Sequence, residues 1–238
     1  TGLLRELAEQ TLELLSPTRC ASCEAPGALV CDACLRDMVR INPAHACTRC
    51  GAPYGSLLCT ECQGDEVELD RCLAAVVFDG PPARIVRAYK DGGERRLSTE
   101  IACIMHCAAR EAELTVPARY GGLLSRVDAV TFVPVTSSAT DAADSTTWSF
   151  ACDFADASCL PLIDALVKHG SLDQRELARE ERLARSRGQY EVVAPVGGMR
   201  VLLLDDVITT GATMNAAAHA LKCAGAARVD CLAFARVW

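Results

Sequence analysis

Two adjacent carboxylates, Asp205 and Asp206, stand between the apolar run Val201, Leu202, Leu203, Leu204 and the small-residue stretch Thr209, Thr210, Gly211, Ala212, Thr213. Paired acids accept hydrogen bonds from sugar hydroxyls or hold a divalent cation. Small hydroxyl residues around a glycine leave backbone N–H groups open to a ligand, and a helix that starts there adds partial positive charge. Such a turn suits a phosphate monoester. The four apolar residues read as a fully buried strand of a parallel sheet. That puts both acids at the carboxyl end of the strand, where open α/β sheets bind ligands. The Ala-rich run from Met214 to Cys223 reads as the following helix, closed by Ala224 and Gly225. The plainer alternative is an ordinary strand, loop and helix with its acids in solvent.

A second chemistry resides in the cysteines. There are 15, and eight of them precede residue 63 as Cys-x-x-Cys pairs: Cys20 and Cys23, Cys31 and Cys34, Cys47 and Cys50, Cys59 and Cys62. Each pair suits a tight turn whose N–H groups face the sulfurs, and two such turns close a tetrahedral thiolate site. About two structural zinc ions in a reducing, cytoplasmic compartment are expected, in preference to secreted disulfides. Spacing leaves open whether the quartets are sequential or interleaved. Cys103, His106 and Cys107 share a helical face but have no fourth ligand, so two buried thiols and a surface or capped histidine are expected there. Cys152, Cys159, Cys223 and Cys231 likewise read as small core residues.

The remaining chain must position these groups. With 238 residues, it can hold one domain and a small appendage. A net charge of -7 makes a broad nucleic-acid footprint unexpected, although Arg84, Arg87, Lys90, Arg95 and Arg96 could form a local basic patch. No apolar run reaches membrane-spanning length, and the N-terminus lacks a signal-peptide core. Leu3 to Leu15 reads as an amphipathic helix, and Gln63 to Asp70 as an acidic linker between residues 1–66 and 71–238. Strands are expected at 71–79, 127–135, 190–196 and 228–237, helices at about 82–90 and 97–112, and a helix or helix pair over 154–169. The alternation predicts an α/β fold, a mainly parallel sheet flanked by helices, behind a small N-terminal zinc-binding module built on cysteine quartets.

The stretch from Val201 to Thr213 resembles the phosphoribosyl diphosphate (PRPP) signature of type I phosphoribosyltransferases. The resemblance implies that Asp205 and Asp206 contact the ribose hydroxyls and that Thr209, Thr210, Gly211, Ala212 and Thr213 hold the 5′-phosphate. The Cys module, an aromatic strand, the run Ile85 to Gly93 (apolar-x-x-Tyr-Lys-x-x-Gly) and this signature together resemble the ComF family, over nearly the whole chain. ComF proteins are competence-associated and phosphoribosyltransferase-like. The likeness implies PRPP or a 5′-phosphorylated ribose as ligand, with Mg²⁺. It also implies transfer to a nitrogen nucleophile or, as the alternative, a non-catalytic role beside DNA-uptake proteins; a homodimer is a further expectation.

Two parts of the likeness concern the pyrophosphate. The loop after the second strand, Val135, Thr136 and Ser137, would face it. Gln174, Leu177, Arg182, Gly188 and Tyr190 match the family's mobile segment, in which Arg182 and Arg187 would close over a phosphate through their guanidinium forks. This chain departs from the family by having no Lys or Arg from Val127 to Val167, while Asp141, Asp144, Asp153 and Asp156 fall there. Neighbouring carboxylates repel pyrophosphate by roughly a few kcal/mol each, and bound Mg²⁺ would offset part of that.

Overall fold

Short apolar runs separated by helices assemble as alternation requires. The structure, a computed structural model, describes residues 17–55, 57–62, 67–134, 146–168 and 189–238. The expected helix Leu3 to Leu15 lies outside them. In chain order the elements are α1 (Asp32–Asp37), a 3₁₀ turn (Thr60–Cys62), β1 (Arg71–Val77), α2 (Pro81–Lys90), α3 (Leu97–Thr115) and α4 (Pro117–Tyr120). Then come β2 (Ala129–Phe132), α5 (Thr146–Ser158), β3 (Leu166–Lys168), β4 (Tyr190–Val192), β5 (Arg200–Ile208), α6 (Ala212–Cys223) and β6 (Arg228–Arg236).

β1, β6, β5 and β2 form one sheet in that order, every neighbouring pair parallel. Side chains alternate between its faces. Leu202, Leu204, Leu232 and Phe234 pack with Ile85, Tyr89, Ile101, Met105, Phe150 and Phe154 of α2, α3 and α5. Val201, Leu203, Val229 and Cys231 pack with Met214, Ala217 and Leu221 of α6. Helices therefore cover both faces, as the sequence predicts. No helix among the described residues is long and apolar enough to cross a membrane.

Several boundaries differ from expectation. The helix expected over 154–169 ends at Ser158. Cys159 turns through a positive φ of 54°, and residues 160–163 then run beside β2, where Val130 N–H donates to Pro161 O and Ile163 N–H to Val130 O. Leu166 to Lys168 pairs antiparallel with β4. Periodicity cannot separate a helix from so short an apolar strand. The strands expected at 127–135 and 190–196 shorten to β2 and β4.

The acidic linker is docked where it is described. Asp70 N–H donates to Val229 O, and Asp70 Oδ2 lies 2.6 Å from Lys222 Nζ. The Cys module is also stitched to the sheet. Ile41 N–H donates to Ala75 O and Val77 N–H to Val39 O, so residues 39–41 cover the open edge of β1. Pairing that edge removes an aggregation-prone row of free backbone groups.

The cysteine expectations outside the quartets hold only for Cys231. Leu97, Ile101, Ala102, Met105, Ala109 and Ala112 form the buried face of α3, which turns Cys103 and Cys107 to solvent; Cys159 and Cys223 are exposed and Cys152 is half-buried. His106 is capped by Ser158 Oγ at 2.9 Å.

Candidate functional site

The acidic pair sits on β5 beside the core, and successive strand residues face opposite ways. Asp206 is buried, with only 3% exposure, and Lys90 Nζ from the end of α2 lies 2.6 Å from its Oδ2. That contact has the distance of an ion pair without hydrogen-bond geometry, so the oxygen keeps an unused lone pair. Asp205 is half-buried, and its Oδ1 accepts the Asp206 N–H at 2.9 Å. Burial, reinforced by the Asp206 charge, pushes the Asp205 carboxyl up to about 8, against the opposing pull of that N–H and of Lys90. Tyr190 of β4 is raised to about 12 by burial and by the Asp205 charge, and its hydroxyl has no hydrogen-bond partner among the described residues.

Beyond β5 the turn opens. Thr209, Thr210, Ala212 and Thr213 are exposed. Gly211 is the N-cap of α6 at φ 80°, a left-handed conformation that a side chain strains. The helix starts without a side-chain cap on its N-cap position, and its first amides have no carbonyl one turn back. Ala212 N–H leans on Thr210 Oγ1 at 3.3 Å. A row of N–H groups at a helix start, with threonine hydroxyls around them, can bind a phosphoryl group.

Sheet topology puts this turn at a switch point. The chain leaves β2 for α5 on one face, and leaves the neighbouring β5 for α6 on the other. The crevice between their carboxyl ends is the usual ligand position in such sheets. Val133 and Pro134 lead β2 into it. Val135, Thr136, Ser137 and Arg182 lie outside the described residues, as do Asp141, Asp144 and Arg187. Asp153, expected among the acids facing pyrophosphate, instead accepts from Ser98 Oγ at 2.6 Å and Thr99 Oγ1 at 2.9 Å, so it ties α5 to α3.

Three residues of this site carry no separate signal in the sequence. Lys90 stands out there only within a basic patch and the Tyr-Lys-x-x-Gly run. That patch is largely engaged: Arg84 Nε donates to Ser22 Oγ, Lys90 pairs with Asp206 and Arg96 with Glu94. Tyr190 stands out as a strand start and as the end of the segment matched to the family, with nothing to place it beside Asp205. Arg236 is buried at the end of β6, where Nε donates to Cys50 O at 3.0 Å and Nη1 to Thr209 O. One guanidinium thus joins the Cys module to the phosphate turn.

The quartets are sequential. Cys20, Cys23, Cys31 and Cys34 form one group and Cys47, Cys50, Cys59 and Cys62 the other, with all sulfurs in each within 4.8 Å of one another. Tetrahedral zinc–thiolate bonds of about 2.3 Å put sulfurs about 3.8 Å apart. Cys23 to Cys31 and Cys50 to Cys59 both measure 3.6 Å. Cys31 N–H points at Cys20 Sγ at 3.4 Å. A Cβ on Gly55 would come within 2.5 Å of Cys47 Cβ, so glycine lets that turn close. Both groups fit structural zinc.

Two family models match parts of the chain. Residues 172–237 match the family model for a phosphoribosyl transferase domain, and residues 11–67 that for a double zinc ribbon domain. The chain is 25% identical to the DNA utilization protein YhgH of Salmonella typhi over 91% of its own length and 96% of the relative's. The Salmonella typhimurium counterpart is 24% identical with the same coverage. Among solved structures, a glutamine phosphoribosylpyrophosphate amidotransferase from B. subtilis is 26% identical, with a TM-score of 0.34, over 45% of this chain and 22% of that one. The resemblance to the ComF family read from the motifs is borne out.

Proposed function

From a chain that carries a double zinc ribbon followed by a phosphoribosyl transferase domain, we propose a protein that binds PRPP or another 5′-phosphorylated ribose. The observation that carries this reading is the exposed turn Thr209 to Thr213 at the uncapped start of α6, beside two strand-end acids. Its amides and hydroxyls hold the 5′-phosphate. Asp205 and Asp206 meet the ribose hydroxyls, and Lys90 leaves Asp206 for the ligand's negative charge. Val135, Thr136 and Ser137 face the pyrophosphate, and Arg182 closes over the phosphate. Mg²⁺ bound with the ligand supplies charge neutralisation that a segment without Lys or Arg lacks.

If group transfer occurs, C1 loses pyrophosphate to a nitrogen nucleophile, and the residues act by positioning and by stabilising a cationic ribosyl centre. Thiolate-rich ribbons suit a reducing cytoplasm. The name of the Salmonella relatives favours a second reading, in which the same phosphate cup serves a non-catalytic role in DNA use.

Calorimetry of the zinc-loaded protein with ribose 5-phosphate, then with PRPP and Mg²⁺, separates these ideas. Binding of both is expected, with PRPP tighter in the presence of Mg²⁺. Gly211→Val is expected to weaken both about tenfold, since a side chain at that φ costs roughly 1–2 kcal/mol. Pyrophosphate release with a nucleobase marks the enzyme; binding without release marks the second reading. A folded protein that gives no heat with either ligand removes the phosphate-cup assignment.

A further inference from the structure

The far end of α6 holds a second constellation that the phosphate site does not use. Cys223, the last residue of α6, is exposed, and its Sγ lies 3.5 Å from His219 Nε2 one helical turn earlier. His219 Nδ1 lies 3.0 Å from Glu68 Oε1. A carboxylate only accepts, so Nδ1 carries the ring proton and Nε2 is left to accept from the thiol. Glu68 is held for this by its own backbone, whose N–H donates to Asn215 Oδ1 at 2.6 Å. The adjacent charges, Lys222 and Asp70, are paired with each other at 2.6 Å.

Thiol, imidazole and carboxylate in series make an activated nucleophile: the base takes the thiol proton and the acid stabilises the imidazolium. About 16 Å of helix separates Cys223 from the phosphate turn, so this is a separate site.

We propose that Cys223, His219 and Glu68 form a reactive-thiol site that takes small soft electrophiles, hydroperoxides in particular. The site is open, with His219 and Glu68 side chains 26% and 31% exposed, and so suits small reagents. In the peroxide reaction the thiolate sulfur attacks one peroxide oxygen, and the O–O bond breaks as the S–O bond forms. The departing hydroxide takes the proton from the His219 imidazolium and leaves as water. Cysteine is oxidised to sulfenic acid and the peroxide is reduced.

Cys103, Cys107 and Cys159 are exposed too, and they serve as references within the same molecule. The zinc-loaded full chain is treated with limiting iodoacetamide at neutral pH, and labelling is followed at each cysteine by peptide mass spectrometry. Cys223 is expected to react about tenfold faster than the references, because a base stands within reach of its thiol proton. His219→Gln should bring it to the reference rate and Glu68→Gln should slow it about threefold, with the other three rates unchanged as the check on folding. Dimedone trapping after hydrogen peroxide should find sulfenate first at Cys223. A Cys223 rate within about twofold of the references, a rate unmoved by His219→Gln, or sulfenate distributed equally over the exposed cysteines overturns the proposal.

Discussion

Removing zinc with a strong chelator will unfold the N-terminal ribbons and loosen the phosphate turn some distance away. Each cysteine quartet closes a segment too small to bury a core of its own, and metal binding in such units is worth on the order of 10 kcal/mol. That is comparable with the whole stability of an ordinary domain, roughly 5–15 kcal/mol. The two ribbons bear on the rest differently. Cys20, Val30, Cys34 and Met38 of the first pack into the same core as Ile85, Ile101 and Phe132. Loss of its metal therefore uncovers apolar surface next to α2.

The second ribbon reaches the phosphate turn through one side chain. Cys50 O holds Arg236, which also holds Thr209 O at the start of the phosphate turn. Cys72 N–H donates to Thr48 O at 2.6 Å, so the same ribbon also grips β1. Metal analysis should find about two zinc ions per chain before treatment. Hydrogen exchange should then show lost protection in residues 18–55 and in the paired ends of β5 and β6 that lead into the turn at Thr209. In Cys47→Ser with Cys50→Ser, one zinc is lost and the turn loosens while the first quartet keeps its metal. Unchanged thermal stability and exchange after complete metal removal would contradict this coupling.

What can be read along the chain and what cannot divides by distance. β5, its turn and α6 are contiguous, and an apolar run, two acids, a left-handed glycine and a small-residue helix are local signals. The Cys-x-x-Cys pairs are legible for the same reason, whereas their grouping as Cys20 to Cys34 and Cys47 to Cys62 comes from the structure, because spacing alone allows interleaving. The partners of those elements are remote. Arg236 meets Cys50 across 186 positions, and Glu68 meets His219 across 151. No local pattern marks such a pair. The exposed cysteines depart from expectation because composition says a thiol tends to be buried, whereas the face of α3 is decided by Leu97, Ile101 and Met105. The segment 160–168 defeats a periodic reading because strands of three residues fall below the period needed to identify them.

Asp230→Ala is expected to cost about 3–5 kcal/mol, the penalty for leaving a buried charge without its partner. Arg71 and Asp230 are register partners on β1 and β6, with Nη2 and Oδ2 2.8 Å apart and both side chains nearly excluded from water. Arg71 Nη1 also donates to Arg119 O and Gly121 O, which fastens the end of α4 and the turn behind it to the sheet. Arg228 Nε reaches both Asp230 oxygens at 3.0 Å. Asp230 thus holds two guanidinium groups, and its removal strands Arg71 in the interior with its Nε already unpartnered. For a chain of this size the thermal midpoint should fall by on the order of 10 °C.

The double variant Arg71→Met with Asp230→Leu distinguishes a pair needed for stability from one that is merely harmful to break. If desolvation roughly cancels attraction, the double variant recovers most of the loss. The pair lies at the amino ends of its strands, opposite the crevice, so ribose 5-phosphate affinity should hold in whichever of these variants stays folded. An Asp230→Ala protein within about 1 kcal/mol of the parent would mean that water reaches Arg71. A loss of ligand affinity in the folded double variant would mean that the two ends of the sheet are coupled, so the crevice would depend on strand register as well as on its own turn.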